Sequence, residues 1–445
     1  MSEEPSWNVA RLIPTSGING AEEQERRATS ALLAVMSSVK EFGRVVTSQF
    51  GAPNTSVETF IEVPFELGEK KLYPDGLIRC RRGQKSWTAL VEVKTGSNQL
   101  DQVQLENYLD IARENGFDCV LTISNEIPPV HGQHPTSVDK RKLRKVDLVH
   151  LSWTEILTYA VVQKEHKGVA DPDQSWILGE LIRYLEHPRS GALNFDDMGS
   201  HWVSVRESIL EGTLRSADRG VMEVASRFEA LIRFACLQLG RRLGTEVTPV
   251  LSRQEQSDPQ LKTSVLAQSL VANGVMESAI RIPQSVSPVS VLVDIRAGKV
   301  TCHMDIAAPE QGRSLTRVNW LIRQLKDAPE SIRVESFAAR SRNVEAQLLK
   351  TARENPATLI ADPLKELRMF RVASQSSLGT KRGVGRGSFI DSVLDAIYGC
   401  YENVGQNLKT WTPSAPRLRE AAEIDVEPDV SPALHSAALS SQDNE

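Results

Sequence analysis

The sequence predicts an α/β protein. Apolar residues recur at helical spacing in some stretches, other stretches alternate or run nearly continuously apolar as strands do, and the two kinds take turns along the chain. With 445 residues, length alone suggests about two or three domains. Hydrophobic residues make up 40% and charged residues 24%, enough to build real cores.

After an aperiodic arm at 1–20 carrying Pro5, Pro14, Gly17 and Gly20, a helix is expected. Leu32, Val35, Met36, Val39 and Val46 form its apolar stripe, and Glu22, Glu23 and Glu25 lie near its first turn, where the helix dipole favours acids. Three strands follow, at 57–65, 72–81 and 86–94, the last two joined by a short turn at Gly83 and Gln84. A helix at about 100–115 ends before Gly116, and the apolar run 118–124 has the character of a strand buried on both faces. A strand at 146–153 and helices at 154–162, 176–187 and 200–212 complete the first unit, giving helix, three strands, helix, strand at its heart.

A second unit begins near 215 with an amphipathic helix at 219–240, built on Val221, Val224, Phe228, Leu231, Ile232 and Ala235. A hairpin at 289–306 turns around Arg296–Lys299, and helices and short strands then alternate over 314–327, 331–338, 343–354, 357–361, 368–373 and 388–403. Beyond Trp411 the chain turns to Pro, Ser, Ala and acids, a disordered acidic tail by composition. The expected division is therefore an arm at 1–20, a first domain at 21–214, a second α/β or α+β domain at 215–410 and a tail at 411–445.

Composition excludes several classes. A net charge of -5 rules out a histone-like, globally basic binder, so nucleic-acid contact needs local basic patches. Five scattered cysteines without a C-x-x-C argue against a disulfide framework or a Cys-rich zinc site. The acidic, polar start and the absence of a long apolar run predict no leader and no membrane span, hence a soluble cytoplasmic protein.

The chemistry concentrates in Tyr73-Pro-Asp75 and Glu92-Val-Lys94. Glu92 and Lys94 are two apart on a strand and share a face, and Asp75 on the neighbouring strand can approach Glu92. Two carboxylates about 4 Å apart repel by roughly 1 kcal/mol even in water, and a hard divalent cation removes that cost. Lys94 can then hold or help deprotonate an attacking water and offset transition-state charge, which together describes metal-assisted phosphodiester hydrolysis. The plainer alternatives are Asp75 as a turn residue in Pro-Asp-Gly and Glu92 with Lys94 on a solvated strand face.

In these residues and their order of elements, the segment resembles the PD-(D/E)XK nuclease superfamily over roughly residues 20–155. The resemblance implies a restriction-endonuclease-like αβββαβ core, Mg²⁺ as cofactor with Mn²⁺ substituting, Asp75, Glu92 and the Val93 carbonyl as metal ligands, and Lys94 as catalytic lysine. Gln104-Leu-Glu-Asn-Tyr108 resembles the Q-x-x-x-Y element of RecB-like branches; Gln104 and Tyr108 share a helix face and could contact DNA phosphate, or could be a capping Gln and a half-buried Tyr. Many members add an acid from the first helix. Glu25 falls on the buried stripe and is the first choice, Glu22 the second, with Glu41 too far along.

Three weaker signals complete the reading. Lys140, Arg141, Lys142, Arg144 and Lys145 form the densest basic run, suited to DNA backbone flanking the site or to a solvated loop. His131 and His134 read as a polar loop, and Cys302-His303 as strand residues without a catalytic partner. Gly379–Ser388, with Lys381, Arg382 and Arg386, precedes a helix and reads as a phosphate-binding or a flexible loop, within a 311–390 stretch holding fifteen basic residues against seven acidic ones. The expectation is a metal-dependent endonuclease acting on DNA, in defence against foreign DNA. The alternatives are a repair nuclease, an inactive nucleic-acid-binding scaffold, and a nuclease gated by a nucleotide or protein trigger. The 215–410 region is the candidate for recognition, homo-oligomerisation or regulation.

Overall fold

The computed structural model describes residues 12, 13, 20–128 and 133–413. The rest of the expected arm, His131, and the expected tail beyond 413 lie outside the described residues.

Two helices open the fold, α1 (Ala21–Ser38) and α2 (Lys40–Ser48), where one had been expected. Val39 between them is extended, with φ -99° and ψ 96°. The break lets α2 cross close to α1, and a Cβ on Gly43 would lie 2.2 Å from the Met36 carbonyl oxygen. Strand β1 (Val57–Ile61) stops at Glu62, whose φ of 51° turns the chain, and a small hairpin, β2 (Phe65–Leu67) and β3 (Lys70–Leu72), takes up the residues expected to extend the flanking strands.

The main strands are β4 (Gly76–Arg82) and β5 (Lys85–Val93), then helix α3 (Gln102–Glu114), β6 (Cys119–Ser124), β7 (Asp147–Ser152), α4 (Trp153–Val161) and α5 (Pro172–Leu185). The sheet order is β1-β4-β5-β6-β7; β1, β4 and β5 are antiparallel neighbours, and β5, β6 and β7 run parallel. One face buries Ile78, Ala89, Val91 and Val93 with Leu32 and Met36 of α1 and residues of α4 and α5. The other buries Leu77, Leu90 and Val120 under Tyr108, Leu109 and Ala112 of α3. Full burial of each large aliphatic side chain contributes about 1.5–3 kcal/mol, so β5 is anchored firmly on both sides.

The second sheet follows α6 (Trp202–Glu211) and α7 (Val221–Leu243). Its elements are β8 (Thr248–Pro249), α8 (Arg253–Ser257), α9 (Pro259–Asn273), β9 (Val275–Arg281), β10 (Val289–Asp294), β11 (Lys299–Ala307), α10 (Ser314–Gln324), β12 (Arg333–Ala338), β13 (Val344–Leu348), α11 (Leu349–Glu354), β14 (Leu367–Ser377) and α12 (Phe389–Cys400). The order β13-β12-β14-β11-β10-β9-β8 is antiparallel at every pairing. Val291, Val300, Met304 and Phe370 pack with α7 and α12 in its core. Residues 343–354 divide into β13 and α11, and the expected strand at 357–361 is a short 3-10 turn, Pro356–Leu359. The helix at 200–212, expected to close the first unit, instead buries Trp202, Val205 and Ile209 in the second core.

The two cores meet where α4 packs on α7. Glu155, in a capping box with Ser152 at the start of α4, receives a 2.8 Å bond from Arg233 of α7; both side chains are buried. The molecule is of the α/β class. No helix among the described residues is long and apolar enough to cross a membrane.

Candidate active site

Strand alternation sets the positions. Val91 and Val93 enter the core under α1, so Glu92 turns to the face covered by α3, and Lys94 follows it at the strand's end. Asp75 lies just before β4, and Gly76 pairs with Val91 across the ladder. Gly76 packs closely, since a Cβ there would sit 2.4 Å from the end of the Leu33 side chain of α1 and force it to shift. Asp75 is therefore no free turn residue. Its Oδ2 accepts a 2.8 Å bond from the Val93 amide, and its carbonyl accepts one from Glu62 at 3.3 Å. In an extended strand the carbonyl of a residue leaves on the same edge as its amide, so the Val93 carbonyl faces Asp75 as well.

Glu92 is 1% exposed. The Lys94 ammonium lies 2.7 Å from Glu92 Oε1 and 3.4 Å from Glu25 Oε2. The alignment of these ion pairs leaves both Glu92 oxygens and Glu25 Oε2 without a hydrogen-bond donor. Glu25 Oε1 accepts a 2.6 Å bond from Asn98. Thus Glu25, Asp75, Glu92 and Lys94 converge, as the sequence predicts. Glu22 is on the rim of the same cleft, and Glu41 is elsewhere, accepting a bond from the Ala170 amide.

The backbone here is held tightly. The Lys94 amide donates to the Ile123 carbonyl at 2.8 Å, and the Trp153 indole donates to the Lys94 carbonyl at 2.9 Å. The loop after Lys94 is pinned by Gly96 donating to the Gly191 carbonyl, by Asn125 donating to both Gly96 and Gly191, and by Thr95 donating to Gln24. Gly191, at φ 78°, has no room for a side chain beside Gln24.

The charges strain one another. Burial, then the nearby Asp75 charge, pushes Glu92 up to about 7. Burial also raises Asp75, although the Val93 amide and Lys94 oppose it. For Lys94, burial works against the ammonium but is outweighed by Glu92, Glu25 and Asp75, so its pKa is raised and it stays protonated. Buried carboxylates with orphaned oxygens and an all-oxygen donor set suit a hard divalent cation, which takes one or two carboxylates and completes its shell with water and phosphate. Among the described residues no group of three His, Cys, Asp or Glu forms a ready-made metal cage.

Gln104 and Tyr108 stand together on α3, with Gln104 donating to the Tyr108 hydroxyl at 3.0 Å. Tyr108 is 2% exposed, and its hydroxyl donates to the Tyr73 carbonyl at 3.4 Å, so it is held inside rather than offered to a backbone phosphate at the mouth. The basic run lies elsewhere. Lys142 bonds Asp110 and the Glu106 carbonyl of α3. Residues 106 and 110 are each two positions from 108, and two positions are about 200° around a helix, so this run covers the side of α3 turned away from Tyr108. Lys140, Arg141, Arg144 and Lys145 are exposed there.

The Gly379–Ser388 loop is no open phosphate cradle. Ser388 caps α12 by accepting from the Asp391 amide, Asp391 accepts from the Gly385 amide, and Arg382 pairs with Asp197 at 2.9 Å. Lys381 and Arg386 remain exposed on the loop. His134 is half-buried rather than a loop residue in solvent, its ring 2.8 Å from the Thr122 hydroxyl, which also meets His150 at 2.8 Å. Cys302 is buried in the second core and His303 is half-buried.

A cleft of about 460 Å³ opens above the acids. Its walls include Arg26, Ile61 and Glu62, which the sequence reading did not single out, and Tyr73, to which it gave no role of its own. Only Arg26 left a signal, as the partner four residues after Glu22; the others depend on how β1 and the β2–β3 hairpin fold back. The chain matches no protein-family model and no curated protein.

Proposed function

We propose that the protein is a metal-dependent nuclease with a restriction-endonuclease-like core, hydrolysing DNA phosphodiester bonds. The observation that carries this reading is the clustering of Glu92 and Glu25 on one ammonium beside Asp75, with Glu92 buried and its oxygens accepting no hydrogen bond. A structural ion pair has no need of two surplus carboxylates, whose repulsion costs several kcal/mol once desolvated.

Asp75, Glu92 and the Val93 carbonyl would hold Mg²⁺ or Mn²⁺. When bound, the ion polarises the scissile phosphate and lowers the pKa of water. Lys94, held as an ammonium, orients the attacking water and offsets charge on the phosphorus-centred transition state. Glu25, whose Oε2 lies 3.4 Å from the Lys94 ammonium and accepts no hydrogen bond, would take the water's proton as the new P–O bond forms and the bond to the leaving oxygen breaks. Gln104 and Tyr108 hold the backbone before Asp75 through the Tyr73 carbonyl. Five buried, unpaired cysteines agree with a cytoplasmic setting.

The test is cleavage of plasmid, linear and single-stranded DNA by purified protein with Mg²⁺, alongside Lys94→Ala. Cleavage that disappears in the variant supports the reading; equal rates from both, or none from either, reject it.

A further inference from the structure

The walls of the cleft carry information about the strand it receives. Four carboxylates, Glu22, Glu25, Glu62 and Asp75, line it with two cations, Arg26 and Lys94. Each cation is already matched: Arg26 with Glu22 at 3.0 Å and Glu62 at 3.5 Å, Lys94 with Glu92 and Glu25. The cleft therefore has no cationic track for the paired backbones of a duplex, the term that normally dominates duplex affinity.

What it offers instead is apolar surface in an exposed position. Tyr73 is 56% exposed and Ile61 52% exposed, both on the cleft wall. Tyr73 sits two residues before Asp75, and its carbonyl is tied to the Tyr108 hydroxyl at 3.4 Å, which fixes the ring's root close to the acids. An aromatic face can bind a nucleobase only if that base is unstacked from its neighbours, so a paired base within a helix cannot use it.

We infer that the cleft acts on unpaired nucleic-acid strand, with the base next to the scissile phosphate stacked on Tyr73 and flanked by Ile61. This rests on the nuclease reading and adds its substrate class. A single phosphate is then held at the acids, and stacking supplies the affinity that the acidic walls deny to a backbone. Tyr73 is a specificity-determining residue, not part of the acid cluster.

The experiment compares a labelled 20-nucleotide strand, free and annealed to its complement, as substrates for the full-length protein with Mn²⁺. The free strand is expected to be cut with a kcat/KM at least about tenfold higher. Tyr73→Ala should lower kcat/KM on the free strand by about tenfold, mainly through KM, and abolish the preference, while Tyr73→Trp retains it. Unchanged melting of the variants separates this from misfolding. Equal cutting of both forms by the wild type, or equal loss in Tyr73→Ala and Tyr73→Trp, overturns the inference and leaves the nuclease reading standing. No cutting of either form removes the nuclease reading, and this inference with it.

Discussion

The two sheets each bring opposite charges together on adjacent strands, and they resolve them differently. On the second sheet, Arg371 of β14 faces Asp305 of β11 and closes a two-pronged pair at 2.8 and 3.0 Å, while Arg333 holds Glu335 at 2.9 Å. In both pairs cation and acid are matched. On the first sheet, Glu92 and Glu25 share the Lys94 ammonium with Asp75 close by, and Glu92 is buried with its oxygens accepting no hydrogen bond. Matched pairs on a half-exposed sheet face are a way of solvating strands. Unmatched acids under cover are destabilising, and they mark the place where another positive charge belongs.

The largest expected difference between the two clusters is in catalysis. Asp75→Asn or Lys94→Ala should lower the cleavage rate by about 10²–10³-fold or more, whereas Arg371→Met should leave it unchanged. Single-turnover kinetics with Mg²⁺ would settle it, and a comparable loss from Arg371→Met would erase the contrast.

Stability should respond in the opposite sense. Glu92 holds its proton to about 7 in the folded state against an ordinary value of 4.5. The folded chain thus binds the extra proton between those values, and stability without added metal falls as pH rises across that window. Glu92→Gln should therefore be more stable than wild type above pH 7, by on the order of 1–3 kcal/mol, and no different at pH 4. Urea melts at the two pH values test this, and a destabilised Gln variant at pH 8 would contradict it.

The same proton competes with metal. Affinity for Mn²⁺ should rise about tenfold from pH 6 to pH 8, with proton release on binding. Calorimetry in two buffers of different ionisation enthalpy measures both; flat affinity would argue against Glu92 as a ligand. The smallest effect belongs to the second sheet, where Arg371→Met should cost about 1 kcal/mol or less, because both side chains are about one-third exposed. A loss of several kcal/mol in a chemical denaturation curve would show that this pair, too, is under strain.

Much of this was legible in the residues. Period-two alternation placed Glu92 and Lys94 on one face, and the helical stripe placed Glu25 toward the strands. Local pattern could not give the tertiary placements. The basic run at 140–145 read as a contact to DNA backbone flanking the site or as a solvated loop, and Asp110 draws Lys142 to the reverse of α3. The glycine loop before α12 looked open until Ser388, Asp391 and Asp197 were seen to use its donors. Helix α9 and strand β9 were missed altogether: the helix has no clear apolar stripe, and the two meet at Gly274 without a proline or a charged break. Tyr73 and Glu62 acquire meaning only once β1 and β4 are paired.

The Arg233–Glu155 contact has a consequence for how the chain comes apart. Glu155 also caps the helix that begins with Trp153, whose indole clamps the Lys94 carbonyl. Melting of α7 would strand that acid beneath apolar surface and loosen the clamp in the same event. Heat should accordingly dismantle both cores in one concerted transition, and a severed N-terminal fragment would start life without the guanidinium that faces Glu155 at its broken seam.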